Sequence, residues 1–272
     1  MMRPPFFRTN AGHAMPSWTP FPYGGEYAFT TGDVLRGWER LHQGDAEPVP
    51  REPAALEAWT LFHCGRFEEA ARVGLAAGGA GVTAANKATI VYAIYLEPSE
   101  SRRLELLGEA AQRARAQADA EPDNPNAWFW HAYALGRYSQ GISVAKALAL
   151  GLTRQVRTAL DRTIALSDRH ADARLALAVF HAEVIDKVGE MVGSITHGAR
   201  REESLRLFAE SFALNPHSVI GRIEHANALL MLDGAKHEDL AAKLYEEAAG
   251  AEAADAAERL AVELARLELA EG

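Results

Sequence analysis

Only one cysteine, Cys64, occurs in the 272 residues, so no internal disulfide can form and a reducing compartment is the expected setting. A lone cysteine in a helical stretch reads as a small buried hydrophobe rather than a reactive thiol. Basic charge is also short. Lys and Arg total 28 against 37 Asp and Glu, a formal net charge of -9, and such a surface repels phosphate backbones and anionic lipid alike. Nucleic acid is therefore not an expected partner. No window reaches the roughly 18 apolar residues that a bilayer-crossing helix needs; the longest candidate, residues 142–152, is too short and carries Lys146. The opening residues Met1 to Arg8 run into Thr9, Asn10 and Gly12 without the apolar core of a secretory signal. The reading is a cytoplasmic chain with no membrane insertion.

Catalytic signatures are missing too. There is no G-x-x-x-x-G-K-[ST], G-x-S-x-G, H-E-x-x-H or paired C-x-x-C. Gly79, Gly81 and Ala84 have the G-x-G-x-x-A spacing of a dinucleotide loop, but a helical pattern precedes them where that loop needs a strand, so they read as helix-ending glycines. His181, Glu183, Asp186 and His197 come nearest to a metal or acid/base cluster. His181 and Asp186 are five apart and do not share a helix face, while Glu183 and Lys187 are four apart and read as a surface ion pair. The chain reads as a non-enzyme with no metal and no cofactor.

What is present divides in two. Residues 1–50 hold seven of the twelve prolines, which block helix over most of the segment, and seven aromatic residues lie within residues 1–30. Disordered segments are poor in aromatics, so this arm is expected to dock on the body, with one short helix over 34–42 capped by Asp33 and ended by Gly44. Residues 51–272 are Ala- and Leu-rich with apolar residues at helical spacing, no stretch alternates like a strand, and the last segment, 253–269, reads as an amphipathic capping helix.

A repeat register runs through this second part. Gly65-Arg66-Phe67-Glu68-Glu69-Ala70, preceded by Ala58 and Leu61, resembles the turn and second-helix start of a tetratricopeptide repeat (TPR). Phe208, Phe212, Leu214, Asn215 and Pro216 resemble the end of one, and Glu121 to Trp128 resemble the passage between two. A narrower resemblance, carried by Ala134 to Ser139 and by Leu160 to Leu166, is to the regulators of microtubule dynamics. The TPR component of tripartite ATP-independent transporters is similar in outline, although the cysteine of a lipoprotein anchor is absent. The resemblance implies an all-α, TPR-like solenoid of about five helical hairpins. No functional residue is carried over from these families.

The small position of each first helix falls at Ala58, Ala132, Ala178 and Ala226. The first interval fits two repeats, whereas the next two imply inserts of roughly 12 and 14 residues over a period of about 34. By register the inserts lie in the third and fourth units, near 139–152 and 188–200, and emerge from one edge of the stack. The first is apolar and needs cover from the second, from the arm or from a ligand. Both also read as mere extensions of the helices.

Two functions fit. One is a protein or peptide scaffold whose concave groove carries Tyr133, Arg137, Arg174, Arg222 and Asn227, chosen for first-helix placement and polar reach. Trp128 and Trp130 beside Tyr133 read as inter-repeat core or as an aromatic platform. The alternative is a carrier for a small apolar ligand held under the inserts and the arm, with Ile142, Val144, Leu148 and His197 as the insert patch. An enclosed cavity behind those residues favours the carrier, and an open groove favours the scaffold.

Overall fold

The computed structural model describes residues 17–271, apart from the side chain of Glu271. The arm residues Phe6 and Phe7 lie outside the described residues. Among those described there are fourteen α-helices and no strand.

The arm leads into α1 (Thr31–Leu41), and five antiparallel pairs follow. They are α2 (Pro53–His63) with α3 (Phe67–Ala77), α4 (Ala80–Tyr95) with α5 (Glu100–Ala120), and α6 (Pro125–Gln140) with α8 (Leu152–Leu166). The last two are α9 (Ala171–Val188) with α11 (Arg201–Leu214), and α12 (Val219–Asp233) with α13 (Glu238–Ala249). A 3-10 turn, Gly234–His237, joins the fifth pair, and α14 (Ala256–Glu271) follows it. The inserts are short helices, α7 (Val144–Ala149) in the third unit and α10 (Glu190–His197) in the fourth.

Local chemistry sets these boundaries. Pro53 and Pro125 open α2 and α6, where a missing N–H costs nothing. Asn124, Ser143 and Ser218 cap α6, α7 and α12 with side-chain oxygens. In α1 the cap is Thr30, not Asp33. The Thr30 hydroxyl accepts from the Asp33 amide at 3.2 Å while the Asp33 carboxylate accepts from the Thr30 amide at 2.8 Å. Asp33 is thus the third helical residue, closing a reciprocal capping box, and α1 starts earlier than the 34–42 expectation.

The four small positions Ala58, Ala132, Ala178 and Ala226 are fully buried, so successive hairpins nest backbone to backbone there. The Gly79-x-Gly81 spacing has the same kind of cause. A Cβ on Gly81 would lie 2.6 Å from the Gly74 carbonyl oxygen, so α3 and α4 approach too closely there for any side chain. Gly79 itself stands just before α4 and belongs to the tight break between the two helices.

Residues 17–30 lie against the first two units. Trp18 stacks on Tyr92 at 4.2 Å between ring centres, and buried Phe21 meets Phe67 edge-on at 6.2 Å. Arg259 of α14 sits over the Tyr23 ring at 4.5 Å. Cys64 is half-buried with its thiol toward the Phe29 carbonyl, and burial pushes that thiol upward in pKa.

The C-terminal helix does more than shield the last unit. Ala261, Val262 and Ala265 bury against the fifth unit and Leu260 joins the main core, as the amphipathic pattern implies, while Leu267 and Leu269 stay exposed. Its amino end also reaches back to the beginning of the chain. Glu258 accepts from both terminal guanidinium nitrogens of Arg40 on α1, at 2.7 and 2.9 Å, and Asp255 bonds His63 of α2 at 2.6 Å. The stack therefore closes on itself, and its concave side becomes a pocket instead of a through-going groove.

Candidate ligand-binding pocket

The pocket has a volume of about 390 Å³. One wall is α9, whose residues Asp172, Leu175, Ala176, Val179, Phe180, Glu183, Val184, Lys187 and Val188 follow the three-and-four spacing of a single helix face. At 1.5 Å per residue that wall runs for about 24 Å. Facing it are Phe129, Trp130, Tyr133, Gly136 and Arg137 of α6, with Val91 and Tyr95 of α4.

Its two ends differ chemically. The insert end is apolar, with Ile142, Val144, Ala147 and Leu148 opposite Val184 and Val188. Val144 and Leu148 are about half exposed, so α7 is an apolar flap covered neither by the arm nor by a packed core. Gly136 lies on the pocket face of α6, and a Cβ built on it meets nothing within 4 Å. A helix-interior glycine costs about 1 kcal/mol relative to alanine, and no close approach of neighbouring atoms requires this one. Its effect is to leave the pocket wider.

The inner end is charged. Lys87 donates to Asp45 at 2.7 Å and lies within 5.2–5.6 Å of the ring centres of Phe62, Trp59 and Trp130. The other oxygen of Asp45 takes the His42 Nδ1 proton at 2.9 Å. His42 and His63 approach through their Nε2 atoms at 3.2 Å, and His63 Nδ1 meets Asp255 at 2.6 Å. Burial holds the His42 imidazole down at about 4. Lys87 and His42 hold the Asp45 carboxyl well below the usual range against its burial, and the His63 hydrogen bond keeps Asp255 low. Glu47, buried beside Asp45, is pushed well above the usual range by desolvation, and Asn126 donates to it.

Asp172, in the first turn of α9, differs from the other inner carboxylates. Its backbone amide donates to the Gly44 carbonyl at 2.9 Å, yet no side-chain partner meets its carboxylate among the described residues. That carboxylate is pressed against Gly44, where a Cβ would lie 2.4 Å from Oδ1, so no larger residue fits opposite it. Burial, helped by the nearby Asp45 charge, raises Asp172 to about 7.

The residues named from the sequence separate cleanly. Ile142, Val144, Leu148 and His197 all line the pocket, and so do Tyr133 and Arg137. Arg137 bonds Glu224 and the Tyr133 hydroxyl inside it. Arg174, Arg222 and Asn227 lie outside it. Arg174 turns to Glu210 and the His170 carbonyl, Arg222 to Glu247 and the Ser218 carbonyl, and Asn227 accepts from Tyr245. Trp130 lines the pocket, while Trp128 bonds the Pro122 carbonyl under Arg115.

The residues near His181 do not converge. His181 is buried and accepts from the Arg200 amide, Asp186 is exposed, and Glu183 accepts from Gln140 in place of the expected pairing with Lys187. No cluster of three His, Cys, Asp or Glu able to hold a metal occurs among the described residues, and no described helix is long and apolar enough to cross a membrane. Asp45, Lys87, Asp172 and Asp255 were missed in the sequence because they come from four distant segments. A lysine in the apolar run Ala84–Ala93 was the available signal.

No family model matches the sequence, and neither does any curated protein. Among solved structures, a thermophilic TPR protein of Thermus thermophilus superimposes with a TM-score of 0.55, covering 79% of this chain and 97% of that one at 15% identity. The likeness shows the fold: this is a TPR-like helical-repeat protein.

Proposed function

We propose that this chain is a non-catalytic binding protein that holds a small, largely apolar ligand between its repeats, under the α7 insert. The observation that carries the reading is the pocket itself. It is closed at the inner end by the Arg40–Glu258 and His63–Asp255 links, walled by an apolar stripe of α9, and left roomy by Gly136. Concave, mostly apolar sites with a few placed polar groups are the usual form of small-molecule sites.

Displacement of an environment-sensitive apolar fluorophore by long-chain amphiphiles tests it, with Gly136→Phe as the filled-pocket control. Saturable displacement from the parent chain, and its loss in Gly136→Phe with the fold intact by circular dichroism, supports the reading. Equal fluorophore binding by both chains sinks it.

A second reading, a protein or peptide scaffold in a cytoplasmic setting, draws on α10. Met191 and Ile195 there are 75% and 80% exposed, on the helix whose last residue, His197, lines the pocket. A partner docking on that face would be lost in Met191→Glu/Ile195→Glu while the pocket still took up the fluorophore.

A further inference from the structure

The charges at the inner end of the pocket can be balanced one against another, and the balance leaves a remainder. Arg40 is matched by Glu258, Arg137 by Glu224 and Lys87 by Asp45. Asp255 is met by His63 Nδ1 at 2.6 Å and by the Glu258 amide at 2.8 Å. Asp172 is left over. The groups that face it are Asp45 from the loop after α1, Lys87 of α4 and Glu258 of α14, and none of them bonds it. The amino end of α9 offsets only about half a charge. An unmatched carboxylate at the bottom of an apolar pocket is costly, and a cation brought by the ligand would remove that cost.

We propose that the occupant is an organic ammonium: an amine head seated against Asp172 and an apolar chain lying along α9 toward Leu148. This rests on the pocket being a ligand site, and it names the chemical class of ligand. A carboxylate head would meet Asp45, Asp172, Asp255 and Glu258 together, and the one lysine there is already engaged by Asp45 and three aromatic rings. A neutral alcohol head would leave Asp172 unmatched. The tail end is suited to hydrocarbon, and the rim cation Lys187 stands far from the head, at the other end of α9.

Binding also has a proton signature. Burial raises Asp172 to about 7, so below that pH a bound ammonium must displace its proton. Affinity for the ammonium then falls by up to about tenfold per pH unit below 7, and binding releases up to one proton.

The test uses the full chain and three probes with the same alkyl chain: dodecylamine, dodecanol and dodecanoate, each displacing the apolar fluorophore. The amine is expected to bind about tenfold or more tightly than the alcohol, as for a hydrogen bond to a charged group, and the carboxylate most weakly. Asp172→Asn is expected to erase the advantage of the amine over the alcohol. The pH profile of the parent chain is a second measurement that needs no variant. Equal affinity of amine and alcohol, tightest binding by dodecanoate, or a pH-independent amine affinity overturns the ammonium assignment while the pocket stands. Failure of all three probes to displace the fluorophore overturns the pocket reading itself and the assignment with it.

Discussion

Replacing Asp172 by Asn should stabilise the protein at neutral and alkaline pH, although it removes a charge from the wall of a functional pocket. In the folded chain burial and the Asp45 charge hold the Asp172 carboxyl at about 7, against 3.8 in the absence of such surroundings. Between those values the folded chain keeps a proton that the unfolded chain has given up. The stability contributed by this group is therefore complete below about pH 4 and lost as pH rises through 7. A gap of about 3 pH units at 1.36 kcal/mol each sets a ceiling of about 4 kcal/mol. Because Asp172 is only partly shielded from water, an observed difference of about 2 kcal/mol is more realistic. Asparagine has the shape of the protonated acid at every pH, so the two chains should unfold alike near pH 4 and diverge toward pH 8, with the variant ahead. Urea unfolding followed by circular dichroism across that range measures the difference. His42, His170 and His181, each depressed to about 4 by burial, lower stability toward acid in both chains and cancel in the comparison. A difference that does not change with pH, or a parent chain that is the more stable at pH 8, would refute the assignment of Asp172 as an unmatched carboxylate.

Three further outcomes follow from the packing. Phe21→Ala, which removes the buried ring that meets Phe67, should cost about 3 kcal/mol and release the stacked Trp18, read as a shift in tryptophan emission and a lower Tm. Ala178→Leu, at a fully buried nesting position, should cost about 1–3 kcal/mol by forcing neighbouring hairpins apart; a neutral result in urea unfolding would mean that the helices there are not in close contact. Arg157→Ala removes donors to the His197 and Gly198 carbonyls and should speed proteolysis within 189–199 while Tm changes by only a degree or two, because those bonds fasten α10 and not the core.

Architecture was legible in the sequence because a repeat writes itself into local spacing. Ala58, Ala132, Ala178 and Ala226 mark the nesting face, and the lengthened intervals between them place α7 and α10 in the third and fourth units, where the helices stand. Ile142, Val144 and Leu148 were recognisable as an uncovered apolar surface because a six-residue helix cannot bury them by itself. The inner end of the pocket was not legible. Asp45 follows the arm helix, Lys87 lies in α4, Asp172 opens α9 and Asp255 precedes α14. Each looks ordinary beside its chain neighbours, since helix periodicity says which face a residue occupies and nothing about which distant face it meets. The Thr30 cap was missed for a smaller reason: in a capping box the first and fourth residues are both good caps, and only geometry decides between them.

Closure of the stack separates the polar residues that line the pocket from those that do not. In an open solenoid the first helices share one concave surface, and Tyr133, Arg137, Arg174, Arg222 and Asn227 would all be available to a partner laid along it. Here α14 carries Asp255 and Glu258 back to α1 and α2, so the curvature ends in a wall and the concave surface becomes finite. Polar residues on the first helices then have two fates. Arg137 falls inside and is held by Glu224; Arg174 and Arg222 fall outside, where second-helix carboxylates and backbone carbonyls of their own units satisfy them. Cutting the tie should undo the distinction. Arg40→Ala together with Asp255→Ala opens the inner end and leaves Lys87 and Asp45 accessible to water, so fluorophore affinity should fall by about tenfold or more while helix content is retained. Undiminished affinity in that double variant would mean that the pocket does not depend on the contact between the two ends of the chain.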